Sequence, residues 1–218
     1  MSLLNLLDTL GSLIFPKRCA YCDEIQSKSV CYKCEKILNR MFRPRIIETN
    51  YKDLICFSPI NYNGLVKKAI LKLKFNGDKS CVPPLSDLIV RTIKVCLFKE
   101  KIDFITCVPS YRDAKKDYNQ SELIAKSAAN KLGLSFKNVL IKIKENDLQH
   151  DLNFSDRQIN VKGVYEVCSN ISGENILICD DVITTGATLN ECVCVLSKFS
   201  FSVKCVAASY TKLNKNLK

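Results

Sequence analysis

Short apolar runs alternate with longer amphipathic stretches along most of this 218-residue chain. Three runs, at 103–108, 176–179 and 203–208, are apolar at nearly every position, which is typical of strands buried on both faces. Apolar residues recur with helical spacing in four longer stretches, two before the first run and one after each of the first two runs: 65–75, 85–97, 121–132 and 188–199. Weaker strand patterns cover 54–62, 138–143 and 161–167. The alternation predicts an α/β fold, a parallel sheet with helices on both faces.

The first fifty residues differ from the rest in composition. Leucines and Ile14 in 1–16 share one helical face, which predicts a docking helix. This stretch has no basic beginning and no small-residue cleavage site, so we do not interpret it as a signal peptide. We predict two parts: a helix and four-cysteine module at 1–50 and a main domain at 51–218. No apolar run reaches the ~20 residues that span a bilayer, which predicts that the protein is not integral to a membrane.

Four cysteines, Cys19, Cys22, Cys31 and Cys34, form two C-x2-C pairs eight residues apart. Each pair can aim two sulfurs at one ion, and two pairs complete a tetrahedral zinc site with no open position. The spacing therefore predicts a structural zinc ion. The alternatives are redox dithiols, an iron–sulfur cluster, or cysteines without a shared role.

The chain has thirteen cysteines, an odd number that cannot all pair. The nine outside the cluster lie mostly in apolar runs, where a free thiol behaves as a small hydrophobic side chain. Because free thiols persist in a reducing compartment, the pattern predicts a cytoplasmic protein.

The most informative segment follows the apolar run at 176–179. Asp180 and Asp181 come directly after it, at the carboxyl edge of the predicted sheet, where open α/β sheets bind ligands. A turn of small and hydroxylated residues then leads into a helix: Thr184, Thr185, Gly186, Ala187 and Thr188. The amide groups of that helix start can bind a phosphate, and the two carboxylates can hold a diol or Mg²⁺. Ribose 5-phosphate offers both groups.

A purely structural interpretation remains open, in which a threonine caps the helix and the acidic pair is solvated. Two acids at a buried strand end are costly without a partner, which disfavours it. A Walker loop and a Rossmann fingerprint are both absent from the sequence.

The segment 180–188 resembles the phosphoribosyl pyrophosphate (PRPP) signature of type I phosphoribosyltransferases. The whole chain resembles the ComF family of competence-associated, phosphoribosyltransferase-like proteins. That family combines a four-cysteine zinc module with the features seen here at 71–77 (LKLKFNG), 107–109 (CVP) and 119–120 (NQ).

The resemblance implies a type I phosphoribosyltransferase fold that binds PRPP with Mg²⁺ and a protein that natural transformation requires. By similarity, Asp180 and Asp181 bind the ribose hydroxyls and 184–188 the 5-phosphate. Arg112 and Lys116, in the loop after 108–109, are placed to meet pyrophosphate; a solvated basic loop is the alternative. The resemblance also implies action on incoming single-stranded DNA at the cytoplasmic side of the membrane, with a ComF-type helicase as partner.

Basic residues exceed acidic ones, and the formal net charge is +11. This excess favours an anionic partner, although a lysine-rich solvated surface is the plain alternative. The candidate contacts to single-stranded DNA are Arg40, Arg43, Arg45, Lys67, Lys72 and Lys74, with aromatic residues among them. Two functions stay open: a PRPP-fold protein that binds single-stranded DNA, or a catalytic phosphoribosyltransferase of metabolism. The sequence does not identify an acceptor.

Overall fold

The structure is a computed structural model that describes residues 17–51, 53–110, 118–144 and 162–212. The predicted helix at 1–16 lies outside these residues. The described part has eight strands: β1 (Arg45–Ile46), β2 (Cys56–Ser58), β3 (Phe104–Cys107), β4 (Ser135–Phe136), β5 (Leu140–Lys142), β6 (Tyr165–Val167), β7 (Asn175–Ile183) and β8 (Ser202–Tyr210). Its five α-helices are α1 (Tyr32–Met41), α2 (Gly64–Asn76), α3 (Val82–Cys96), α4 (Gln120–Leu132) and α5 (Ala187–Leu196).

Six strands form one sheet in the order β1-β2-β8-β7-β3-β4. All neighbours run parallel except β1, which pairs antiparallel to β2 at the edge. Strands β7 and β8 form the centre and pair from Asn175–Ser202 to Ile183–Tyr210. The predicted α/β fold with a mostly parallel sheet is confirmed. Strands β5 and β6 form a separate antiparallel pair.

Apolar side chains cover both faces of the sheet. Helices α2, α3 and α4 bury one face, where Leu177 and Val206 are inaccessible to solvent. Helix α5 and the β5–β6 pair bury the other face, where Ile178 and Cys205 are equally inaccessible. A central strand with apolar side chains on both faces explains why 176–179 is apolar without alternation.

The four-cysteine module packs into the first of these cores. Cys19, Tyr21 and Leu38 are buried in the same cluster as residues of α2 and α3. The predicted domain boundary at residue 50 stays a prediction; strand β1 lies before it and pairs with β2 after it. The module and the sheet therefore share buried surface.

All thirteen cysteines are free. Among the helices of the described residues, none is long and apolar enough to cross a membrane.

Candidate functional site

The two adjacent carboxylates lie near the end of β7, in the middle of the sheet. Asp180 pairs in register with Ala207 of β8, and the neighbouring strand on the other side is β3. Both aspartates are partly accessible. Strand β3 ends at Cys107 opposite Cys179, so on that side the pair lies at the carboxyl edge of the sheet, although β7 itself continues past both aspartates to Ile183.

The first turn of α4 makes direct hydrogen bonds to both carboxylates. The hydroxyl of Ser121 donates to Oδ1 of Asp180 at 2.9 Å, and Nε2 of Gln120 donates to Oδ2 of Asp181 at 3.2 Å. Asn119 caps the helix, since its Oδ1 accepts from the Ser121 amide at 2.9 Å. Its Nδ2 donates to the carbonyl of Val108 at 2.8 Å and so joins α4 to the end of β3.

The sequence pattern predicts no role for Asn119 and Gln120 at the carboxylates and does not mark Ser121. The signal that could have found them is a helix start rich in amide and hydroxyl side chains after a strand that ends at the same sheet edge. Tyr62 also lies within the electrostatic influence of the pair: burial raises the pKa of its phenol, and the charge of Asp181 raises it further.

The environment of Asp180 disfavours its charged form. Burial raises the pKa of its carboxyl well above the usual range, and the neighbouring charge of Asp181 adds to the increase. The hydrogen bonds from Ser121 and from the Asp181 amide oppose this effect. A ligand that brings hydroxyl donors or a cation to this edge would stabilise the ionised form.

The turn after β7 has the backbone shape that a close ligand approach needs. Gly186 has φ 85°, a left-handed conformation that favours glycine, and it is the N-cap of α5. The amide of Ala187 donates to Oγ1 of Thr185 at 3.3 Å. Thr184 is exposed and Thr188 partly so. The amides in the first turn of α5 and these hydroxyls together suit a phosphate group.

The turn is supported from the side by the segment that precedes β2. A Cβ atom on Gly186 would lie 2.9 Å from Cβ and Cγ2 of Thr49 and 3.1 Å from Cδ2 of Leu54. The position therefore requires glycine for its space as well as its φ. Arg112 and Lys116, the predicted pyrophosphate contacts, lie outside the described residues.

The four thiols of the module converge on one point. The sulfurs of Cys19, Cys22, Cys31 and Cys34 all lie within 4.8 Å of one another. A tetrahedral zinc ion with bonds of about 2.3 Å would need sulfur separations of about 3.8 Å. The Cys22 and Cys31 sulfurs are 3.6 Å apart. The donor set and its spacing fit one thiolate-bound metal ion.

Backbone amides favour the thiolate form at Cys19, whereas burial and the neighbouring thiols raise the pKa of Cys34. The Cys31 amide donates to Sγ of Cys19 and the Cys34 amide to Sγ of Cys31, both at 3.4 Å. Burial works to raise the pKa of Cys19, but amides of Cys31, Cys22 and Tyr21 outweigh it and lower that pKa to about 7. The ligand form is thus favoured at Cys19 before a metal binds.

The six basic residues predicted to contact DNA occupy two regions. Arg40 and Arg43 are exposed at and just after the end of α1. The guanidinium of Arg45 lies 5.1 Å from the centre of the Tyr210 ring and hydrogen-bonds to its hydroxyl. The other three residues, on α2, differ in exposure: Lys67 is exposed beside Tyr62, Lys74 lies near Phe75, and Lys72 is mostly buried in ion pairs with Asp23 and Asp78.

Comparison with known proteins agrees with this geometry. The model of the phosphoribosyl transferase domain matches residues 118–216, which contain α4, the carboxylate pair and the turn. The chain is 26% identical over 137 residues to the DNA utilization protein YhgH of Salmonella typhimurium, covering 60% of each chain. It is 27% identical over 186 residues to the competence protein ComFC of Bacillus subtilis, covering 83% of this chain and 72% of that one. These relatives confirm the resemblance to the ComF family.

The ComF-like chain spans about 60% of the length of YhgH. Among solved structures, adenine phosphoribosyltransferase from Thermoanaerobacter pseudethanolicus aligns with a TM-score of 0.41 and 13% identity, over 81% of this chain and 99% of that one. The sheet order of this structure and the match to the phosphoribosyl transferase domain are the two observations that establish the fold.

Proposed function

We propose that this ComF-like chain binds PRPP, with Mg²⁺, at the edge formed by Asp180, Asp181 and the turn 184–188. One observation carries the proposal: a single strand of the parallel sheet, β7, carries both carboxylates and leads through the turn directly into the start of α5. The carboxylates suit the vicinal hydroxyls of a ribose, and the start of α5 suits its 5-phosphate. Gln120 and Ser121 hold the carboxylates in place from α4.

When bound to the pyrophosphate group of PRPP, Mg²⁺ would offset the negative charge of that group, which is the group that leaves C1 of the ribose. Within this chain, the aspartates would orient the ribose and the turn would anchor the other end. Arg112 and Lys116 are our proposed pyrophosphate contacts on the strength of the family resemblance.

We propose further that the four thiolates bind one structural zinc ion.

We also propose that the protein works in DNA uptake during natural transformation. The names of the relatives, a DNA utilization protein and a competence protein, support that role. Thirteen free cysteines support a reducing, cytoplasmic location. A ComF-type helicase is the partner that the family resemblance suggests.

The proposed nucleic-acid ligand is single-stranded DNA. Cations with neighbouring rings, as at exposed Lys67 with Tyr62 and half-buried Lys74 with Phe75, suit binding without sequence preference. Arg40 and Arg43 add charge on the module side. Lys72 is the weakest candidate, because its ammonium is already paired.

Two measurements test the proposal. Mg-PRPP should raise the melting temperature of the protein, and the absence of any shift would refute PRPP binding. A pyrophosphate-release assay with candidate acceptors then separates the two functions. Release with a small acceptor and no effect of DNA would favour a catalytic phosphoribosyltransferase of metabolism.

DNA binding is tested by fluorescence anisotropy with an oligothymidine over a salt series. Simultaneous Arg40→Ala, Arg43→Ala and Arg45→Ala substitution should weaken binding and flatten its salt dependence, since each lost phosphate contact lowers the slope by about 0.7 for a single strand. The paired variant Lys67→Ala/Lys74→Ala tests the α2 face. Unchanged slopes in both variants would refute binding at either face.

A further inference from the structure

Near its end, α2 contacts the loop 19–23 of the four-cysteine module, here called the metal-binding loop. The contact is made by the mostly buried side chain of Lys72. Nζ of Lys72 donates to the carbonyl of Ala20 at 3.1 Å, pairs with Oδ2 of Asp78 at 3.3 Å and forms a close ion pair with Asp23. Only 15% of the Lys72 side chain is exposed. Ala20 lies between the two candidate ligands Cys19 and Cys22, and Asp23 follows Cys22, so the ammonium contacts the loop both within and after this C-x2-C pair.

Asp23 itself has an unusual backbone conformation. Its φ of 68° is the one positive value at a non-glycine position in the described residues, and its amide donates to the carbonyl of Cys19 at 2.9 Å. A left-handed residue after a C-x2-C pair closes the turn that aims both sulfurs inward. Lys72 and Lys68 both pair with its side chain.

The next residue of α2, Leu73, contacts the segment that leads into α4. The carbonyl of Leu73 belongs to the last turn of the helix, where carbonyls lack intrahelical partners. The phenol of Tyr118 supplies the missing bond by donating to it. Tyr118 stands directly before Asn119, Gln120 and Ser121, which cap α4 and hold the two carboxylates.

Polar contacts, linked by short stretches of backbone, therefore join the thiolate cluster to the carboxylate pair. This series runs from the loop at 19–23 through Lys72 and Leu73 to Tyr118 and on to the first turn of α4. None of the linking side chains is a thiolate ligand or a member of the acidic pair.

We propose that Lys72 is a positioning residue for the carboxylate site, linking the metal-binding loop to the first turn of α4 through Tyr118. The position of Gln120 and Ser121 against the aspartates then depends on an ordered metal-binding loop. The part concerning PRPP affinity rests on the proposed function; the part concerning the order of α4 does not.

The decisive variant is Lys72→Met, which keeps the aliphatic stem and removes the ammonium. Lys68→Met is its matched control: the same change on the same helix, at a lysine that pairs with the same Asp23 at 2.8 Å. The Lys68 side chain is 49% exposed. Tyr118→Phe removes only the phenolic oxygen and cuts the series at its other end. All three are compared with the full-length, metal-loaded protein.

Hydrogen–deuterium exchange of the segment 119–124 is the first readout. Lys72→Met should speed exchange there and at 19–24, Tyr118→Phe should speed it at 119–124 alone, and Lys68→Met should leave 119–124 unchanged. The second readout is PRPP affinity, which Lys72→Met should lower by about 2- to 30-fold, the range for changes within a coupled network.

Unchanged exchange at 119–124 in Lys72→Met would overturn the proposal, whatever the PRPP result. Equal effects of Lys68→Met and Lys72→Met would also overturn it, because they would reduce the effect to general loss of charge. If Lys72→Met does not fold, Tyr118→Phe decides: no change at 119–124 refutes the link. A wild type that does not bind PRPP refutes the proposed function, while the exchange data still decide the link.

Discussion

Replacing Asp181 by asparagine should separate ligand binding from folding. Oδ1 of Asp181 accepts from the Val182 amide at 2.8 Å and Oδ2 accepts from Gln120 at 3.2 Å. In the variant, the side-chain oxygen of asparagine can still accept from the Val182 amide. Its NH2 group can donate to the side-chain oxygen of Gln120 once the Gln120 side-chain amide has rotated. The change also removes the negative charge beside the buried carboxyl of Asp180, so the melting temperature without ligand should stay equal or rise slightly.

The loss should appear in PRPP affinity. A hydrogen bond to a charged group contributes about 1.5–3 kcal/mol, so the dissociation constant should rise by about one to two orders of magnitude. At a PRPP concentration of about 100 times the wild-type dissociation constant, binding stabilises the wild type by about 2.7 kcal/mol. For a domain of this size that corresponds to a thermal shift of about 5–11 °C. The variant should shift by only about 1–6 °C.

Asp103→Asn provides the opposite control. Asp103 lies at the amino end of the sheet, away from the site, and its Oδ2 accepts from the amide and the side chain of Asn175 at 2.8 and 2.9 Å. That variant should lower the melting temperature without ligand and leave the PRPP shift intact. Melting curves of the three proteins with and without Mg-PRPP make the comparison. A PRPP shift in Asp181→Asn equal to that of the wild type would refute our assignment of Asp181 to the ribose.

Three further predictions concern the scaffold. Cys22→Ser should abolish bound zinc and lower the melting temperature of the whole protein, because the module shares a core with α2 and α3; metal analysis and calorimetry check this, and equal zinc content would contradict it. Gly186→Ala should lower the free energy of unfolding by about 1–3 kcal/mol in urea titrations, and more than Gly133→Ala, which has a similar φ but open space around it. Amide and side-chain donors of Asn175, with Lys101, lower the pKa of Asp103 to about 2. Its carboxylate therefore stabilises the fold above about pH 4, and this contribution should disappear as the pH falls towards 2; Asp103→Asn should show less acid sensitivity in urea titrations between pH 2 and 5.

Features that depend on residue type and short spacing could be predicted from the sequence. The alternation of apolar runs with helical periods determined the α/β class, since a strand buried on both faces must be apolar at successive positions. The spacing of the four cysteines predicted their convergence, because each C-x2-C pair is a local turn. The position of Asp180 and Asp181 at a sheet edge followed from their place after an apolar run.

Contacts between distant segments could not be predicted in this way. Nothing in the sequence near Ser121 shows that its hydroxyl meets Asp180, fifty-nine positions later. Lys72 has the sequence context of a solvated helix lysine, and its charge favoured a DNA contact. Only the packing of α2 against the loop 19–23 of the four-cysteine module places its ammonium beside Ala20 and Asp23.

The sequence by itself determined which local elements form and which chemical groups they carry. The tertiary structure decided which groups become partners, because partner choice depends on how helices pack on the two faces of the sheet. For that reason the acidic pair and its turn were evident in the sequence, since nine consecutive residues contain them. The bonds from Gln120 and Ser121 to the aspartates, and from Tyr118 to the carbonyl of Leu73, exist only once α4 has packed on the sheet and the end of α2 lies beside Tyr118.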